Sequence, residues 1–376
     1  MRVGISAKSS CLSGIITAAI LLTAPAAAQQ TAGDASTSAE QLYRDATASA
    51  TVDACTRVIA RLDRALTAAA TEAQRTYYTN LLAWTYNRRG EMHAHDAATL
   101  ATNPKSHDPT RAKAKDKLAT ADFKKSLELA PDRWKSWHNL AVCDALAGRL
   151  DKAVANFSKV IELRPNYVDA WFNRAEVHFE LGQFALAVND YDEAIRLQPA
   201  EAQFHARRGD ARFQLRDFDA ALADYDHALQ LTPRRAEYVV DRGDVFRATG
   251  QWEKAAAAYR KAITLDQDYG RAYQSAAWLM ATCPDTRVRD AGLAIEAAQK
   301  AIALDGDGDF IYLDTLAAAY ANGARFDDAV KAEKRAIGVA PKRFRLALER
   351  RQKLYLNHTP FRQKIGRQSS VRQAKR

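Results

Sequence analysis

The chain has 376 residues, 47% of them hydrophobic and 27% charged, with a formal net charge of +10 at pH 7. This composition is that of a folded chain and excludes global disorder, collagen-like sequence and a disulfide scaffold. The 16 glycines and 10 prolines are too few for the frequent turns of an all-β fold. Alanine, the strongest helix former, is abundant, so the composition predicts an all-α protein.

The first 28 residues have the pattern of a secretory signal peptide. Arg2 and Lys8 make the start basic, Leu12 begins a short apolar run, and Ala26 and Ala28 provide small residues before Gln29. The run is too short to span a bilayer comfortably, and the alanines favour cleavage after Ala28. We therefore expect an exported mature chain that is periplasmic or secreted.

The net charge is unevenly distributed along the chain. The first 28 residues contribute +2, and residues 341–376, with twelve Lys or Arg against one acid, contribute +11. This leaves −3 for residues 29–340. A mildly acidic body with a basic end is not the pattern of a nucleic-acid-binding surface, so no nucleic acid partner is expected.

Prolines recur at a fixed interval in the middle of the chain. Pro131, Pro165, Pro199 and Pro233 stand 34 residues apart. Alanine, glycine and aromatic residues recur with them, in the sets Trp137, Leu140, Ala141, Gly148, Ala153, Phe157 and Pro165, and Trp171, Ala175, Gly182, Ala187, Tyr191, Ala194 and Pro199. Glycine suits the end of a first helix and proline stops a second one, so each interval predicts a pair of packed helices.

This pattern resembles the tetratricopeptide repeat, firmly over residues 76–341 and loosely over 45–356. The resemblance implies a right-handed α-solenoid of about seven helix pairs with N- and C-terminal capping helices, because each pair leaves an apolar face for its neighbour to cover. The expected organisation is a signal peptide (1–28), an N-terminal helical cap or half-repeat (29–75), a first repeat with a 24-residue insert (76–133), six further units (134–341), a capping helix (342–360) and a disordered basic tail (361–376).

The insert contains three of the eight histidines of the chain, His93, His95 and His107. Imidazole suits zinc, so these residues are weak candidates for a metal site, although the main expectation is that the chain binds no metal. Residues two apart do not share a helix face, so His93 and His95 could act together only in extended or loop backbone. Pro104 and Pro109 favour a polar loop in this insert.

Members of the family that the chain resembles bind partner segments on the concave face, which the first helix of each pair lines. The resemblance implies these groove residues: Asp169, Phe172, Glu176, Phe179, Glu180, Asp210, Phe213, Glu237, Asp244, Arg247, Arg271 and Trp278. Acids outnumber bases in this set, and aromatic side chains lie between them. Such a groove suits a basic or amphipathic protein or peptide partner, because aromatics supply contact area and charges supply steering.

The sequence contains no Gly-x-Ser-x-Gly, His-Glu-x-x-His or P-loop motif, so we expect no enzyme activity, no catalytic residue and no cofactor. The main hypothesis is a non-catalytic interaction scaffold of the bacterial envelope. Two alternatives stay open: a metal-binding protein or metal-dependent enzyme using the histidine insert, and a tether to an anionic envelope surface through residues 361–376. The basic tail could equally fold onto the groove of its own or another copy, which would be self-association, or serve only as a solubilising end.

Overall fold

The computed structural model describes residues 39–103 and 106–363, and every regular element in these ranges is an α-helix. The helices are α1 (Ala39–Ala48), α2 (Val52–Thr67), α3 (Glu72–Thr102), α4 (Pro109–Leu129), α5 (Trp134–Leu146), α6 (Leu150–Leu163), α7 (Val168–Glu180), α8 (Phe184–Leu197), α9 (Ala202–Gln214), α10 (Phe218–Leu231), α11 (Ala236–Ala248), α12 (Trp252–Leu265), α13 (Gly270–Thr282), α14 (Ala291–Asp305), α15 (Phe310–Asn322), α16 (Phe326–Val339) and α17 (Lys342–Leu356). Across these two described ranges, no helix has both the length and the apolar character needed to cross a membrane.

The chain divides into two compact units, and the division lies inside α8 between Asp190 and Tyr191. In the first unit α2 packs on α3, α3 on α4, α5 on α6 and α6 on α7. In the second unit α9 packs on α10, α11 on α12, α13 on α14, α15 on α16 and α16 on α17. The first helices α9, α11, α13 and α15 also contact one another in order. The predicted all-α solenoid of helix pairs is confirmed.

The turns inside five of the helix pairs each contain one residue with a positive φ, among them Ala324 with φ of 58° between α15 and α16. Gly148, Gly182 and Gly250 end their first helices with φ of 72°, 75° and 78°. Arg216 occupies the same repeat position with φ of 62°. This left-handed conformation is easy for glycine and costs other residues free energy, so the turn is tolerated rather than favoured at Arg216.

Close packing within the helix pairs depends on small residues in the first helices. A Cβ atom added at Gly243 would lie 2.7 Å from Cε1 of Tyr259, and one added at Gly209 would lie 2.9 Å from Cε1 of Tyr225. Both tyrosines are buried. The alternation of small and large residues in the sequence therefore reflects direct contact between backbone and ring.

Ring nitrogens connect first helices to the proline turns that precede them. Trp137 Nε1 donates to Pro131 O and Trp171 Nε1 to Pro165 O, both at 2.8 Å. His205 Nε2 lies 2.9 Å from Pro199 O at the equivalent repeat position. The recurrence of an aromatic side chain with a ring nitrogen at this position thus has a structural explanation.

The insert is helical, which corrects the expectation of a loop. α3 has 31 residues and α4 has 21, against 13 and 14 for α5 and α6. Thr71 and Gln74 form a capping box at the start of α3, and Asp108 caps α4 by accepting from Arg111 N. The inserted residues therefore lengthen both helices of the first pair, because helix-favouring residues and good caps outweigh the loop signals around Pro104.

The ends of the chain are described only in part. The predicted signal peptide (1–28) and most of the predicted basic tail (364–376) lie outside the described residues. α17 buries Leu348 and Tyr355 against the preceding helices. Phe361, Arg362 and Gln363, the first residues of the predicted disordered tail, instead make specific contacts with the folded chain, which corrects that prediction for these three residues.

Candidate functional site

In the first unit, the five predicted groove residues all lie on α7. Asp169 and Glu180 are exposed, Phe172 and Phe179 are half-buried, and Glu176 is buried. Their spacing places them along one side of the helix. Phe179 packs edge-on against Phe184, with ring centroids 5.2 Å apart. The exposed part of this surface therefore offers two carboxylates beside aromatic rings.

In the second unit, the predicted residues lie on three successive first helices. Asp210 and Phe213 lie on α9, Glu237, Asp244 and Arg247 on α11, and Arg271 and Trp278 on α13. The structure brings Asp244, Arg247 and Arg271 into direct contact. Arg271 Nη2 lies 2.9 Å from Asp244 Oδ2, and Arg247 Nη2 lies 3.4 Å from Asp244 Oδ1. Glu237 bonds instead to Arg235 at 3.4 Å.

Asp241 belongs to this network, although the repeat positions did not point to it. The same Nη2 of Arg271 lies 2.7 Å from Asp241 Oδ1, so one guanidinium joins two carboxylates of α11. We call Asp210, Asp241 and Asp244 the carboxylate cluster. Asp241 meets Arg271 because α11 packs on α13. In the sequence alone, Asp241 cannot be distinguished from a solvent-exposed aspartate on a helix.

Tyrosines from the second helices support the cluster. The hydroxyl of Tyr225 donates to Asp210 Oδ1 at 2.7 Å, and that of Tyr259 donates to Asp244 Oδ1 at 2.8 Å. These two bonds are equivalent, since each pair of residues is displaced by 34 positions from the other. Both carboxylates are thereby held in fixed orientations on the surface formed by the first helices of the helix pairs. We call this the first-helix surface.

Burial controls the protonation of the cluster. Burial raises the pKa of Asp241 well above its usual range; Arg271 opposes this shift, and the neighbouring Asp210 and Asp244 add to it. Burial also raises the pKa of Asp210, against the opposing effect of Arg207. A buried carboxyl group beside other carboxylates favours its neutral form. Protons and cationic side chains therefore compete for the oxygen atoms of the carboxylate cluster.

The acidic excess predicted for the second-unit groove is largely balanced in the structure. Arg207, absent from the predicted set, donates to Asp210 Oδ2 at 3.1 Å. Together with Arg247 and Arg271 it provides three guanidinium groups for the three carboxylates of the cluster. The surface is therefore an ion-pair network with polar groups already oriented.

The end of the described chain covers part of this surface. Phe361 packs on Trp278 with ring centroids 5.8 Å apart. Gln363 accepts a hydrogen bond from Arg247 Nη1 at 3.3 Å and donates its backbone N–H to Thr282 O at 3.0 Å. We call Phe361–Gln363 the docked segment. Two of the predicted groove residues thus contact a non-helical piece of the same chain.

The three candidate metal ligands do not form a site. His93 is buried in α3, where burial lowers its pKa, and His95 follows on the same helix. His107 Nδ1 lies 3.0 Å from Ala101 O in the connection to α4. Among the residues that the structure describes, no group of three or more His, Cys, Asp or Glu could hold a metal ion.

Three family models match the chain: a TPR repeat over residues 145–182, and tetratricopeptide repeats over 168–200 and 206–270. The protein contains tetratricopeptide repeats. All three matches fall on regular helix pairs of the fold, and all three models describe repeats of this one kind. No curated protein matches the chain in sequence.

Solved structures are similar to parts of this chain. A tetratricopeptide repeat protein from Parabacteroides merdae matches 71% of this chain and 99% of its own, with 15% identity and a TM-score of 0.57. Yeast Tom70 matches 88% of this chain and 67% of its own, with 18% identity and a TM-score of 0.48. YrrB, described as a TPR protein with an unusual peptide-binding site, matches 51% of this chain and 95% of its own, at 20% identity and a TM-score of 0.40. At these identities the likeness concerns the fold alone.

Proposed function

We propose that this protein is a non-catalytic interaction scaffold that binds an extended segment of a partner protein on its first-helix surface. The second unit provides the best-defined part of this surface, formed by the carboxylate cluster, Arg271 and Trp278. In such a site the oriented ion pairs provide specificity for the partner, and the aromatic ring provides contact area that loses its water on binding. The preferred partner segment carries an aromatic side chain and is basic or amphipathic, and its cations would compete with Arg207, Arg247 and Arg271 for the three carboxylates.

The observation that supports this proposal most directly is the docked segment itself. It is non-helical, and it binds with an aromatic anchor on Trp278 and hydrogen bonds to Arg247 and Thr282. Peptides that bind tetratricopeptide repeats in the manner proposed would need the same kinds of contact. The first-helix surface is thus able to hold non-helical backbone.

The envelope location is part of the proposal and rests on the signal-peptide pattern of residues 1–28. Expression of the full chain with a C-terminal tag in a Gram-negative host tests it. We expect the tag in the periplasmic fraction and a mature N-terminus at Gln29. Retention of an intact N-terminus in the cytoplasm would contradict export and would leave the binding proposal untouched.

Peptide binding can be measured by fluorescence anisotropy with labelled basic, neutral and acidic peptides of equal length, each containing one phenylalanine. The proteins are the mature chain 29–376 and a version ending at Pro360, at low and high salt. We expect the basic peptide to bind best, and the affinity to fall with salt because charges contribute.

The matched variants of this experiment remove one carboxylate each. Asp244→Asn, in the carboxylate cluster, should weaken binding of the basic peptide about tenfold, as expected for loss of a close charge pair. Asp226→Asn, on the second helix α10 and paired with Arg242, should leave it unchanged. Equal effects of both variants, or no peptide binding by either protein version, would contradict the proposed function.

A further inference from the structure

The chain reverses direction after α17 and returns to the first-helix surface. Thr359 N bonds to Leu354 O at 2.9 Å, and His358 adopts a φ of 53°. The His358 ring stacks on Phe326 with centroids 5.0 Å apart and planes 11° apart. These contacts hold a tight turn that directs Phe361 towards α13.

Phe361 enters an aromatic and cationic contact already present in the fold. The guanidinium of Arg351 lies 5.7 Å from the ring centre of Trp278 and 5.4 Å from that of Phe361. Phe361 also packs against the buried cluster that contains Ala321 and Tyr355. An anchored, partly desolvated aromatic of this kind is typical of the residue that dominates the affinity of a peptide ligand.

Arg362 and Gln363 bind the C-terminal end of α13. Arg362 Nη1 donates to Ala281 O at 2.9 Å and its Nη2 to Asn322 Oδ1 at 3.0 Å, while Gln363 N donates to Thr282 O. The last carbonyl groups of a helix lack partners within the helix and carry the negative end of its dipole. Donors and a cation are therefore the groups that this end of α13 favours.

Arg247 connects the docked segment to the carboxylate cluster. The same guanidinium donates to Gln363 Oε1 and to Asp244 Oδ1. Thirteen residues follow Gln363, with five Lys or Arg and no acid. Fully extended, they span at most about 43 Å, several times the roughly 10 Å separation of packed helices, so α11 and α9 lie within reach.

We propose that residues 361–376 are an intramolecular peptide ligand of the first-helix surface in the second unit. The docked segment is its anchor on α11, α13 and α15, and the basic residues after Gln363 bind the carboxylate cluster on α11 and α9. The inference rests on the proposed function, because it assigns the chain's own terminus to the surface that partner segments would use. A partner must then displace this terminus in order to bind.

The tethered ligand has a large advantage over a free one. A short flexible connection gives an effective concentration in the millimolar range, so a terminus that binds with a Kd of about 10 μM in trans would occupy its site about 99% of the time in cis. A competing peptide would then bind the full chain about 100-fold more weakly than a chain without the terminus. The difference between the two chains is the signature of the proposal.

The test uses a labelled synthetic peptide of residues 357–376 and measures its affinity by anisotropy. The proteins are the mature full chain, a chain ending at Pro360 and a chain ending at Gln363, with circular dichroism to verify that each is folded. We expect the chain ending at Pro360 to bind the peptide at least tenfold more tightly than the full chain, with the chain ending at Gln363 between them. Truncation could disturb α17. Full-length protein carrying Phe361→Ala and Arg362→Ala therefore provides a second way to expose the first-helix surface, because it removes the contacts of the docked segment without shortening the chain.

Two altered peptides separate the anchor from the charges. Phe361→Ala with Arg362→Ala should abolish binding, and replacement of the five basic residues after Gln363 by Gln should weaken it at low salt only. The proposal would be overturned if the peptide had equal affinity for the full chain, for the chain ending at Pro360 and for the full-length Phe361→Ala, Arg362→Ala variant. A dimer that grows with protein concentration and disappears on truncation would overturn it as well, because the occupant would then come from a second copy.

The proposed function and this inference fail in different ways. If foreign basic peptides bind the full and shortened chains equally well, the scaffold function stands and the intramolecular ligand is wrong. If foreign peptides bind neither chain while the 357–376 peptide binds the chain ending at Pro360, the surface serves only the chain's own terminus. That second result would support the inference and contradict the wider scaffold function.

Discussion

The regular repeats and the C-terminal region hold their charges in different ways. In the regular repeats, one arginine on each of α7, α9 and α11 contacts the preceding second helix. Arg208 bonds to Asp192 at 2.6 Å and Arg242, 34 residues later, bonds to Asp226 at 2.9 Å. The acids of these two pairs are about half exposed. These contacts repeat because the sequence repeats.

The C-terminal region buries a charge network that no repeat predicts, unlike the buried pairs Arg174–Asp190 and Arg208–Asp224, which recur 34 residues apart. Arg351 of α17 donates to both oxygens of Asp314 on α15, at 2.7 and 2.8 Å. Its Nε also lies 3.7 Å from Glu333 on α16, whose side chain is fully buried. Three helices and the aromatic contact with Phe361 therefore depend on a single arginine. The regular pairs therefore share their stability among equivalent contacts, whereas the C-terminal end depends on the contacts of one arginine.

The largest expected difference in stability between the two regions comes from removing one arginine from each. Arg351→Ala should lower the free energy of unfolding by about 3–5 kcal/mol, because it leaves Asp314 buried without its charge partner. Arg242→Ala, the matched control, removes a surface pair and should cost less than about 1 kcal/mol. Urea unfolding of both variants measures the difference. Similar costs would show that the C-terminal network is not energetically special.

The second test uses pH. Burial raises the pKa of Glu333 well above its usual range, and Asp314 adds to this while Arg351 opposes it; the buried hydroxyl of Tyr355 lies in the same network. The folded chain therefore holds this proton at pH values at which the unfolded chain has lost it. The stabilisation is complete below the ordinary Glu pKa and decreases as pH rises towards the folded value.

Glu333→Gln should accordingly flatten the stability profile. We expect the free energy of unfolding of the wild type to fall between pH 5 and 9 relative to the variant, by up to about 1.4 kcal/mol per pH unit. The difference between the two profiles isolates Glu333 from other buried acids such as Asp241. Parallel profiles would mean that Glu333 is charged in the folded state.

A third test compares two helical glycines in the second unit. Gly243→Ala belongs to the regular repeats and should cost about 1–3 kcal/mol, because the added methyl group meets the ring of Tyr259. Gly338→Ala lies near the end of α16, where a Cβ would meet no atom within 4 Å. It should stabilise the protein by about 0.5–1 kcal/mol through helix propensity. Thermal unfolding of the pair distinguishes tight helix packing from an ordinary helix position, and equal shifts would contradict the packing argument.

What could be predicted from the sequence follows the same contrast. The prolines at 34-residue intervals and Gly148, Gly182 and Gly250 indicated the helix pairs of the fold. They could do so because a repeated contact leaves a repeated residue. The contact of Tyr225 with Asp210 and that of Tyr259 with Asp244 also repeat, and an analysis of 34-residue pairs of polar residues would have found them.

The remaining features have no repeated counterpart. Asp241 meets Arg271 only because α11 packs on α13, and Phe361 meets Trp278 only because the chain turns back after α17. In the insert, Pro104 and Pro109 favour a loop by their sequence, whereas the capping residues of α3 and α4 stabilise two long helices in the structure. Contacts between distant segments that occur once are set by tertiary packing, and single-sequence patterns do not contain them.

The smallest expected effect lies at Arg216, in a turn that departs from the glycine pattern. Arg216 takes a left-handed conformation where Gly148, Gly182 and Gly250 stand in the neighbouring pairs. Arg216→Gly should stabilise the protein by up to about 1 kcal/mol, since it removes a strain of roughly 1–2 kcal/mol and loses a contact of the guanidinium, 5.6 Å from the ring centre of Phe218, worth about 0.5 kcal/mol. The opposite change in the same unit, Gly250→Ala, should destabilise it by a similar amount. Opposite shifts of the urea midpoint would show that the packing of the repeat imposes the left-handed turn whichever residue occupies it. A loss of stability in Arg216→Gly would instead mean that the side-chain contacts of Arg216 outweigh the backbone preference.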